Sequence, residues 1–447
     1  SARAQRRAAG GFEALHVEPG DRVVFTVGTS PGLLAAVLGA TRMGVVPVLL
    51  DPQLLPEELE ALIADADPTL VVRDEAGLGQ LLAGREHDLA DVPLTRPMHY
   101  TSGTSGMPKG VWSGILQPPA AASLFDDEAS IWTPSPSDTF LMGSPLHHSV
   151  GVRLTSLWLL HGADVVLLDH YDASTVARAI ETLGVTAAFV VPAHLQRLFA
   201  LPRLPDVSGV RRLIHAGSHC PENLKRRALD AFPPGAVWEF YGSTEGQFTV
   251  CSPDEWLARP GTVGRARPGR RLEIDGNGEV WCHTPDFARF EYWGDPAKTA
   301  LAWRDDAFTV GDLGRLDGDG YLFLDGRRSD LVITGGVNVY PAEVEQVLRQ
   351  VQGVDDVAVF GLDDERWGQR VCAAVVGTAT PDRVMAHART HLAPHKRPKQ
   401  VWAVEALPRT TTGKVRRTAV AAELGLAPPQ RTLPTRDTVD NAGGYPQ

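Results

Sequence analysis

The stretch YTSGTSGMPKGV, residues 100–111, brings glycines, hydroxyl side chains and one lysine together in a short segment. Glycine lets the backbone approach an anion closely, while amides and hydroxyl groups donate hydrogen bonds to phosphate oxygens. The stretch is not a Walker A loop, because Pro108 precedes the lysine and Gly110 follows it. A flexible surface loop is the alternative interpretation. The candidate phosphate ligands are Thr101, Ser102, Gly103, Thr104, Ser105 and Lys109.

A second candidate is WEFYGSTEG, residues 238–246, where an apolar run ends in a turn. Tyr241 offers an aromatic face, Thr244 a hydroxyl group and Glu245 a carboxylate. A stacked base, a phosphate oxygen and Mg²⁺ would need these three groups. A strand end with a solvated glutamate explains the same residues equally well.

Two further segments carry single charged groups on glycine-rich turns. Asp312 in TVGDLGRL can accept hydrogen bonds from two vicinal hydroxyl groups, which favours ribose recognition, although a simple hairpin explains it too. Lys414 in LPRTTTGKVRR lies on a threonine- and glycine-rich turn. By itself that segment indicates only a solvated basic turn.

Charge and cysteine content restrict the class of protein. The net charge of −11 argues against a partner such as nucleic acid or an anionic membrane. The four cysteines lack metal-ligand spacing and indicate buried reduced thiols. Without a long apolar segment or a secretory signal, we expect a cytoplasmic location and no stable membrane insertion.

The elements that must position these residues follow from the hydrophobic pattern. Up to about Pro260, short apolar runs such as RVVF and AAFVV alternate with helix-like segments, which predicts parallel strands covered by helices. Beyond it, Asn-Gly and Asp-Gly steps predict antiparallel hairpins. The predicted fold class is α/β, with doubly wound parallel sheets and a small β unit in a large N-terminal domain, followed by a smaller, mobile α/β C-terminal domain. The expected boundaries are 1–328, 329–428 and a tail at 429–447.

The order of these segments resembles the core motifs of the adenylate-forming superfamily, which includes acyl-CoA synthetases, peptide-synthetase adenylation domains and luciferases. The resemblance runs from about Pro19 to Leu424. It rests on YTSGTSGMPKG, PLHH, YGSTE, the GD and GR pairs at 311–312 and 326–327, GGVNVYPAEVE and PRTTTGK.

The resemblance implies a two-step reaction that uses ATP, Mg²⁺ and coenzyme A. A carboxylate attacks the α-phosphorus of ATP to give an acyl-adenylate and pyrophosphate, and a thiol then displaces AMP to give a thioester. The implied catalytic residues are Lys414, Thr244, Glu245 and His148, with Glu245 also the Mg²⁺ ligand. The residues implied in nucleotide or coenzyme A binding are Thr101, Ser102, Gly103, Thr104, Ser105, Lys109, Gly217, Ser218, His219, Tyr241, Gly242, Asp312, Arg327, Gly335 and Gly336.

By the same resemblance, Lys414 bridges the substrate carboxylate and the α-phosphate, where negative charge concentrates in the transition state. The C-terminal domain must then move between the two steps about a hinge just after Arg327, and it presents Gly335 and Gly336 to the pantetheine. Ser329 stands where the family usually has Asp or Lys, so a charge-based latch lacks its charged residue there.

The segment GSPLHHSVGVRL bears on the identity of the acid that is activated. It contains no carboxylate that could pair with an α-amino group, which disfavours an amino acid as the substrate. His148 is implied at the mouth of the acyl pocket, with a structural core histidine as the alternative. Arg153 and His194 are candidates for binding a second polar group of the acid. Placement of Arg153 on an outer helix face is an equal alternative.

We therefore predict a free-standing acyl-CoA synthetase whose partners are a small carboxylic acid and coenzyme A. An acyl-AMP ligase that loads a carrier protein is the main alternative. A non-catalytic protein that binds nucleotide or acyl-adenylate is another, although binding alone does not need a lysine that acts in the transition state.

Overall fold

The computed structural model describes residues 1–101, 108–327, 330–334, 337–364, 367–409 and 415–426. The chain divides into two compact units. The first comprises Ser1–Val310 and Gly314–Leu324, and the second comprises Gly311–Leu313 with the described residues from Asp325 onward. Within the described ranges, no helix is long and apolar enough to cross a membrane. The expected tail at 429–447 and the hinge residue Ser329 lie outside the described residues.

The helices are α1 (Ala2–Ala14), α2 (Pro31–Met43), α3 (Pro56–Ala66), α4 (Glu75–Leu82), α5 (Pro118–Trp132), α6 (Ser149–Leu160), α7 (Ala173–Leu183), α8 (Pro192–Phe199), α9 (Glu222–Ala231), α10 (Pro253–Ala258), α11 (Pro296–Ala302), α12 (Pro341–Leu348), α13 (Pro381–His391) and α14 (Arg417–Glu423), with a short 3₁₀ turn at Asp286–Ala288.

The strands are β1 (Arg22–Phe25), β2 (Val46–Leu49), β3 (Leu70–Val72), β4 (His99–Thr101), β5 (Lys109–Trp112), β6 (Thr139–Met142), β7 (Asp164–Leu167), β8 (Ala187–Val190), β9 (Arg212–His215), β10 (Val237–Glu239), β11 (Thr249–Val250), β12 (Arg265–Ala266), β13 (Arg271–Ile274), β14 (Val280–His283), β15 (Glu291–Tyr292), β16 (Trp303–Arg304), β17 (Ala307–Phe308), β18 (Asp312–Leu316), β19 (Leu322–Arg327), β20 (Val332–Thr334), β21 (Val337–Val339), β22 (Val354–Asp364), β23 (Gly368–Gly377) and β24 (Gln400–Ala403).

Two parallel sheets organise the first unit, in the orders β2-β1-β3 and β10-β9-β8-β6-β7. Strands such as β8 are buried along their whole length, because helices cover both faces of the sheet. One buried cluster joins the larger sheet to α7, α8 and α9, and another joins it to α5 and α6. The predicted alternation of strands and helices is confirmed.

Antiparallel strands complete the first unit, in the orders β13-β14-β17-β16 and β15-β5-β4. The turn between β13 and β14 is closed by Asp275, whose Oδ1 accepts hydrogen bonds from the backbone N–H groups of Asn277 and Glu279. Gly278 in the same turn has φ +79°, which glycine adopts without steric cost. The predicted hairpins beyond Pro260 are therefore confirmed.

The second unit contains a sheet in the order β21-β20-β23-β22, with β24 parallel to β23. Valines on β22 and β23 pack with α12 and α13 in one buried cluster. Arg417 at the start of α14 donates to Asp330 over 2.8 Å and to Glu345 over 2.9 Å. These ion pairs anchor the segment that directly follows the lysine motif to the core of the second unit.

Gly151 in the first turn of α6 allows the helix to lie against the PLHH loop, since a Cβ there would collide with the carbonyl oxygen of Pro145. We expect Gly151→Ala to lower the free energy of unfolding by about 1–3 kcal/mol through overpacking. Gly79 within α4 has no heavy atom within 4 Å of the corresponding position. Gly79→Ala should instead raise stability by about 0.5–1 kcal/mol. Urea unfolding of both variants checks this contrast, and equal effects would contradict the packing account.

Candidate active site

The candidate site lies at the carboxyl ends of the parallel strands of the larger sheet. His215, the last residue of β9, is in register with Val190 of β8 and with Glu239 of β10. The loops that follow β9 and β10 therefore begin side by side. They carry the predicted residues Gly217, Ser218 and His219 in one loop, and Tyr241, Gly242, Thr244 and Glu245 in the other. This edge is the usual ligand-binding position in open parallel sheets.

The YGSTEG turn has a fixed backbone. Ser243 N–H donates to the carbonyl of Gly246 over 2.9 Å, and Phe248 N–H donates to the carbonyl of Tyr241 over 2.9 Å. Glycine is required at position 242, because a Cβ would lie 2.8 Å from the carbonyl oxygen of Gly246. Tyr241 is buried, with its ring 4.8 Å from that of Phe248. The turn thus presents Thr244 and Glu245 at defined positions.

Glu245 has only 6 % of its surface exposed and is held by an aromatic residue that the sequence analysis did not select. Tyr292 on β15 donates its hydroxyl hydrogen to Glu245 Oε1 over 2.8 Å. Lys298 Nζ lies 4.0 Å from the centroid of the Tyr292 ring. Burial lowers the pKa of Lys298, Glu245 and Asp295 oppose that change, and Lys109 adds to it. Glu245 therefore lies near the charge of Lys298.

Lys109 begins β5, which pairs with β4 so that Thr101 lies opposite Lys109. Lys109 Nζ is 3.8 Å from Asp65 Oδ1, and the same carboxylate accepts a 2.8 Å hydrogen bond from Tyr100. The two strands thus place the lysine beside an acidic partner. The predicted phosphate contacts of Ser102, Gly103, Thr104 and Ser105 lie outside the described residues and stay predictions.

His148 is the N-cap residue of α6 and is half-buried. The ring of the adjacent His147 lies 4.4 Å from it, and His147 Nε2 lies 3.7 Å from Asp51 Oδ2. His99 on β4 donates from Nδ1 to the carbonyl of His147 over 3.0 Å. This bond fixes the PLHH loop to the same strand pair that carries Lys109.

Arg153 and His194, the two candidates for binding a second polar group of the acid, have different surroundings in the structure. Arg153 on α6 is turned inward, with Nη2 donating to Gln247 Oε1 over 3.0 Å and its guanidinium 5.1 Å from the centroid of the Phe240 ring. The alternative of an outer helix face is wrong, because these contacts fix the side chain beside the YGSTEG turn. His194 instead stacks on Tyr171 at 3.7 Å, and burial lowers its pKa to about 4.

A buried polar triad, Lys225, His215 and Glu239, lies beneath the edge and was missed by the sequence analysis. Lys225 on α9 is fully buried, donates to His215 Nε2 and lies 3.2 Å from Glu239 Oε2. Burial and the charge of Lys225 hold the pKa of His215 well below its usual value, whereas burial raises that of Glu239. The triad joins the last residues of β9 and β10. The scarcity of lysine in the sequence was the signal that could have identified both Lys225 and Lys298.

The remaining predicted site residues belong to the second unit. Asp312 begins β18 and Arg327 ends β19, and the two strands pair, so both residues lie at the open end of one hairpin. Asp312 is buried. Gly335, Gly336 and Lys414 lie outside the described residues. Arg409 and Val415 form an antiparallel bridge, so the segment that carries Lys414 begins and ends at neighbouring points.

A parallel-sheet body with these turns at its strand ends defines the adenylate-forming class of α/β enzymes. The sequence model described as AMP-binding enzyme matches residues 2–97 and 95–289, and the model described as AMP-binding enzyme C-terminal domain matches residues 343–414. The chain belongs to the AMP-binding enzyme family. The family resemblance predicted from the motifs is thereby confirmed.

Named relatives agree with this assignment. The chain is similar to the indoleacetate–CoA ligase of Aromatoleum aromaticum, at 32% identity over 87% of this chain and 85% of that protein. It is similar to the feruloyl-CoA synthase of Amycolatopsis sp, at 33% identity over 94% and 92%. Among solved structures, the o-succinylbenzoate CoA synthetase of Bacillus subtilis in complex with its acyl-adenylate intermediate is similar with a TM-score of 0.82, at 25% identity over 93% of this chain and 90% of that one.

Acid should destabilise the protein through His99, whose pKa burial lowers to about 4. The unfolded chain protonates this histidine below pH ~6.5 and the folded chain does not, so stability present above that pH is lost as the pH falls toward 4. This pKa difference corresponds to about 3 kcal/mol.

We expect His99→Asn, which keeps an N–H donor, to reduce the loss of unfolding free energy between pH 7 and about 4.5. The control is His170→Asn at an exposed position, which should retain the wild-type pH dependence. Urea unfolding at several pH values measures both. An unchanged pH dependence in the His99 variant would refute the role of this buried ring.

Proposed function

We propose that the chain is an ATP-dependent acid–CoA ligase. It activates a small carboxylic acid as an acyl-adenylate with release of pyrophosphate, and it then transfers the acyl group to coenzyme A. The observation that carries the proposal is the Glu245 carboxylate, held by Tyr292 near Lys298 in the turn after β10, at the carboxyl edge of the parallel sheet. Family membership and the similarity to CoA ligases over most of the chain support it.

The positive charges of Lys298 and Lys109, which influence each other, suit the triphosphate of ATP. Lys109 supplies a positive charge to the β- and γ-phosphates, together with the loop that precedes it. Thr244, at the tip of its turn, donates to the α-phosphate. Groups that need little rearrangement when ATP binds lower the cost of reaching the transition state.

The residues present fit Mg²⁺. This ion binds proteins through one or two carboxylates together with substrate phosphates, rather than through a full set of side chains. Among the described residues, no group of three or more His, Cys, Asp or Glu side chains could hold a metal ion alone. Glu245 would be the protein ligand, with Tyr292 fixing Oε1. When bound, Mg²⁺ offsets the negative charge of the phosphates.

The remaining nucleotide contacts are proposed from the loops after β9 and β10 and from residues of the second unit. The aromatic face of Tyr241 and the loop of Gly217, Ser218 and His219 take the adenine. Asp312 and Arg327, at the open end of the β18–β19 hairpin, take the ribose hydroxyl groups. His148 guides the carboxylate at the entrance of the acyl pocket.

Lys414 is the proposed catalytic lysine of the first step. The attack of a carboxylate on a polyphosphate concentrates negative charge, and a fixed cation lowers that barrier selectively. Because the residue belongs to the second unit, we propose that this unit rotates after the first step about a hinge after Arg327. Gly335 and Gly336 then lie beside the pantetheine of coenzyme A.

Lys414→Ala should lower the rate of carboxylate-dependent ATP–pyrophosphate exchange by at least about 100-fold. Transfer of the acyl group from a preformed acyl-adenylate to coenzyme A should remain largely intact, because the lysine acts in the first step. Lys399→Ala, a change at an exposed lysine of the same unit, is the control and should leave both half-reactions unchanged. Equal loss of both half-reactions in the Lys414 variant would contradict the two-step account.

The same exchange assay over a panel of acids tests the function as a whole. Exchange that depends on an acid, followed by acyl-CoA detected by mass spectrometry after coenzyme A is added, supports the ligase. Exchange without acyl-CoA, together with acylation of a phosphopantetheinyl carrier protein, would favour the carrier-loading alternative. Lack of exchange with every acid would favour a protein that only binds the nucleotide.

Tyr292→Phe removes the hydrogen bond that fixes Glu245. We expect the Mg²⁺ concentration for half-maximal exchange to rise about 10-fold or more, as is typical when a group that orients a metal ligand is lost. Tyr321→Phe is the matched control, because its hydroxyl donates to Glu255 at 3.3 Å in another part of the first unit. An unchanged Mg²⁺ dependence in the Tyr292 variant would contradict the role of Glu245.

A further inference from the structure

A group of buried and half-buried charged residues lies between α5, α6 and the segment before β13, and we call it the arginine cluster. Its members are Arg96, Arg153, Arg267, Arg270, Asp127 and Glu128. Arginine side chains outnumber carboxylates in this group. A surplus of buried positive charge is costly unless further acceptors compensate it.

Both carboxylates are bonded mainly to arginines other than Arg153. Arg267 donates to Glu128 Oε1 over 2.7 Å and to Asp127 Oδ2 over 2.8 Å, and Arg270 donates to Asp127 Oδ2 over 3.0 Å. Arg267 is 2 % exposed. These ion pairs are what a structural network requires, and they give Arg267 and Arg270 direct carboxylate partners.

Arg153 is paired less well than Arg267 and Arg270, because its contact with a carboxylate is longer than a hydrogen bond. Its Nε lies 3.6 Å from Glu128 Oε2, and neither atom has a hydrogen-bond partner within the described parts of the chain. The hydrogen bond that orients its guanidinium is to Gln247, a neutral amide that cannot balance the charge. The side chain is nevertheless 25 % exposed.

The position of Arg153 relates it to the acid rather than to the nucleotide. Its two orienting residues flank the YGSTEG turn, Phe240 just before Tyr241 and Gln247 just after Gly246. Arg153 also lies on the helix that His148 caps, slightly more than one turn from that end. The guanidinium is therefore held by residues that flank the turn of Thr244, on the helix that begins after His148.

We propose that Arg153 binds a second carboxylate, at the far end of the acid from the one that is activated. The substrate class is thus a dicarboxylic acid, and Gln247 and Phe240 act as the residues that orient Arg153. The inference rests on the proposed function. A guanidinium pairs with a carboxylate through two parallel hydrogen bonds, which supplies both the missing negative charge and the missing acceptors.

The test compares matched acids in ATP–pyrophosphate exchange. The probes are 3-phenylpropionate with its 4-carboxy and 4-methyl derivatives, and α,ω-dicarboxylates of rising length with the corresponding monocarboxylates. At the spacing that suits the pocket, wild-type kcat/KM should be about 10- to 100-fold higher for the dicarboxylate than for its methyl-ended counterpart. A preference for the methyl-ended acid at every spacing would overturn the proposal.

Variants distinguish direct contact between Arg153 and the acid from a structural role of Arg153 in the arginine cluster. Arg153→Met should reverse the preference toward the methyl-ended acid, and Arg153→Lys should keep part of the dicarboxylate preference. Arg153→Met/Glu128→Gln removes one charge of each sign from the cluster and should show the same reversal in a folded protein. Arg270→Met, which removes a cation of the cluster that does not contact Gln247 or Phe240, should change the preference by no more than about 3-fold.

The outcomes distinguish the proposed second-carboxylate site from the proposed ligase function. Exchange with both members of each pair, with a preference that Arg153→Met leaves unchanged, would refute the second-carboxylate site and leave the ligase intact. Lack of exchange with every acid would refute the ligase and, with it, the inference. A preference that reverses in the Arg153 variants alone would support both.

Discussion

The loops after β9 and β10 can form one site only because these parallel strands end side by side, with His215 opposite Glu239. Lys225 reinforces this alignment, since its buried ammonium group contacts both residues at the level where the strands end. A buried cation of this kind is stable only while both partners stay in place. The positions of Thr244 and Glu245 therefore depend on a charged contact beneath the site as well as on the backbone of their own turn.

The site combines groups from segments that are distant in the chain. The turn after β10 supplies Glu245, β15 supplies the hydroxyl of Tyr292, and β5 supplies Lys109. The first unit thus carries the acidic and basic groups proposed to hold a metal-bound triphosphate, and the second unit carries the proposed catalytic lysine. This division explains why the two half-reactions should respond differently to changes in the second unit.

Much of the fold could be predicted from the sequence, because strands, helices and tight turns are indicated by patterns of neighbouring residues. Alternating apolar runs predicted the parallel sheets, and Asp-Gly and Asn-Gly steps predicted the hairpins. Helix α1 was not predicted, since Gly10 and Gly11 are poor helix residues and serve there to approach the backbone of Leu81 and Arg85. The motifs identified the family, but they did not show that Tyr292 holds Glu245 or that Arg153 turns inward. Those contacts join segments that no local pattern relates.

The central claim is that a carboxylate oxygen attacks the α-phosphorus of ATP. The most direct measurement uses an acid labelled with ¹⁸O in its carboxylate, incubated with the protein, ATP, Mg²⁺ and coenzyme A, followed by mass spectrometry of the nucleotide product. One ¹⁸O atom should appear in AMP, because the bond between the acid and the α-phosphorus leaves that oxygen on phosphorus when the thiol displaces AMP. Unlabelled AMP, or ¹⁸O in inorganic phosphate formed with ADP, would contradict the account.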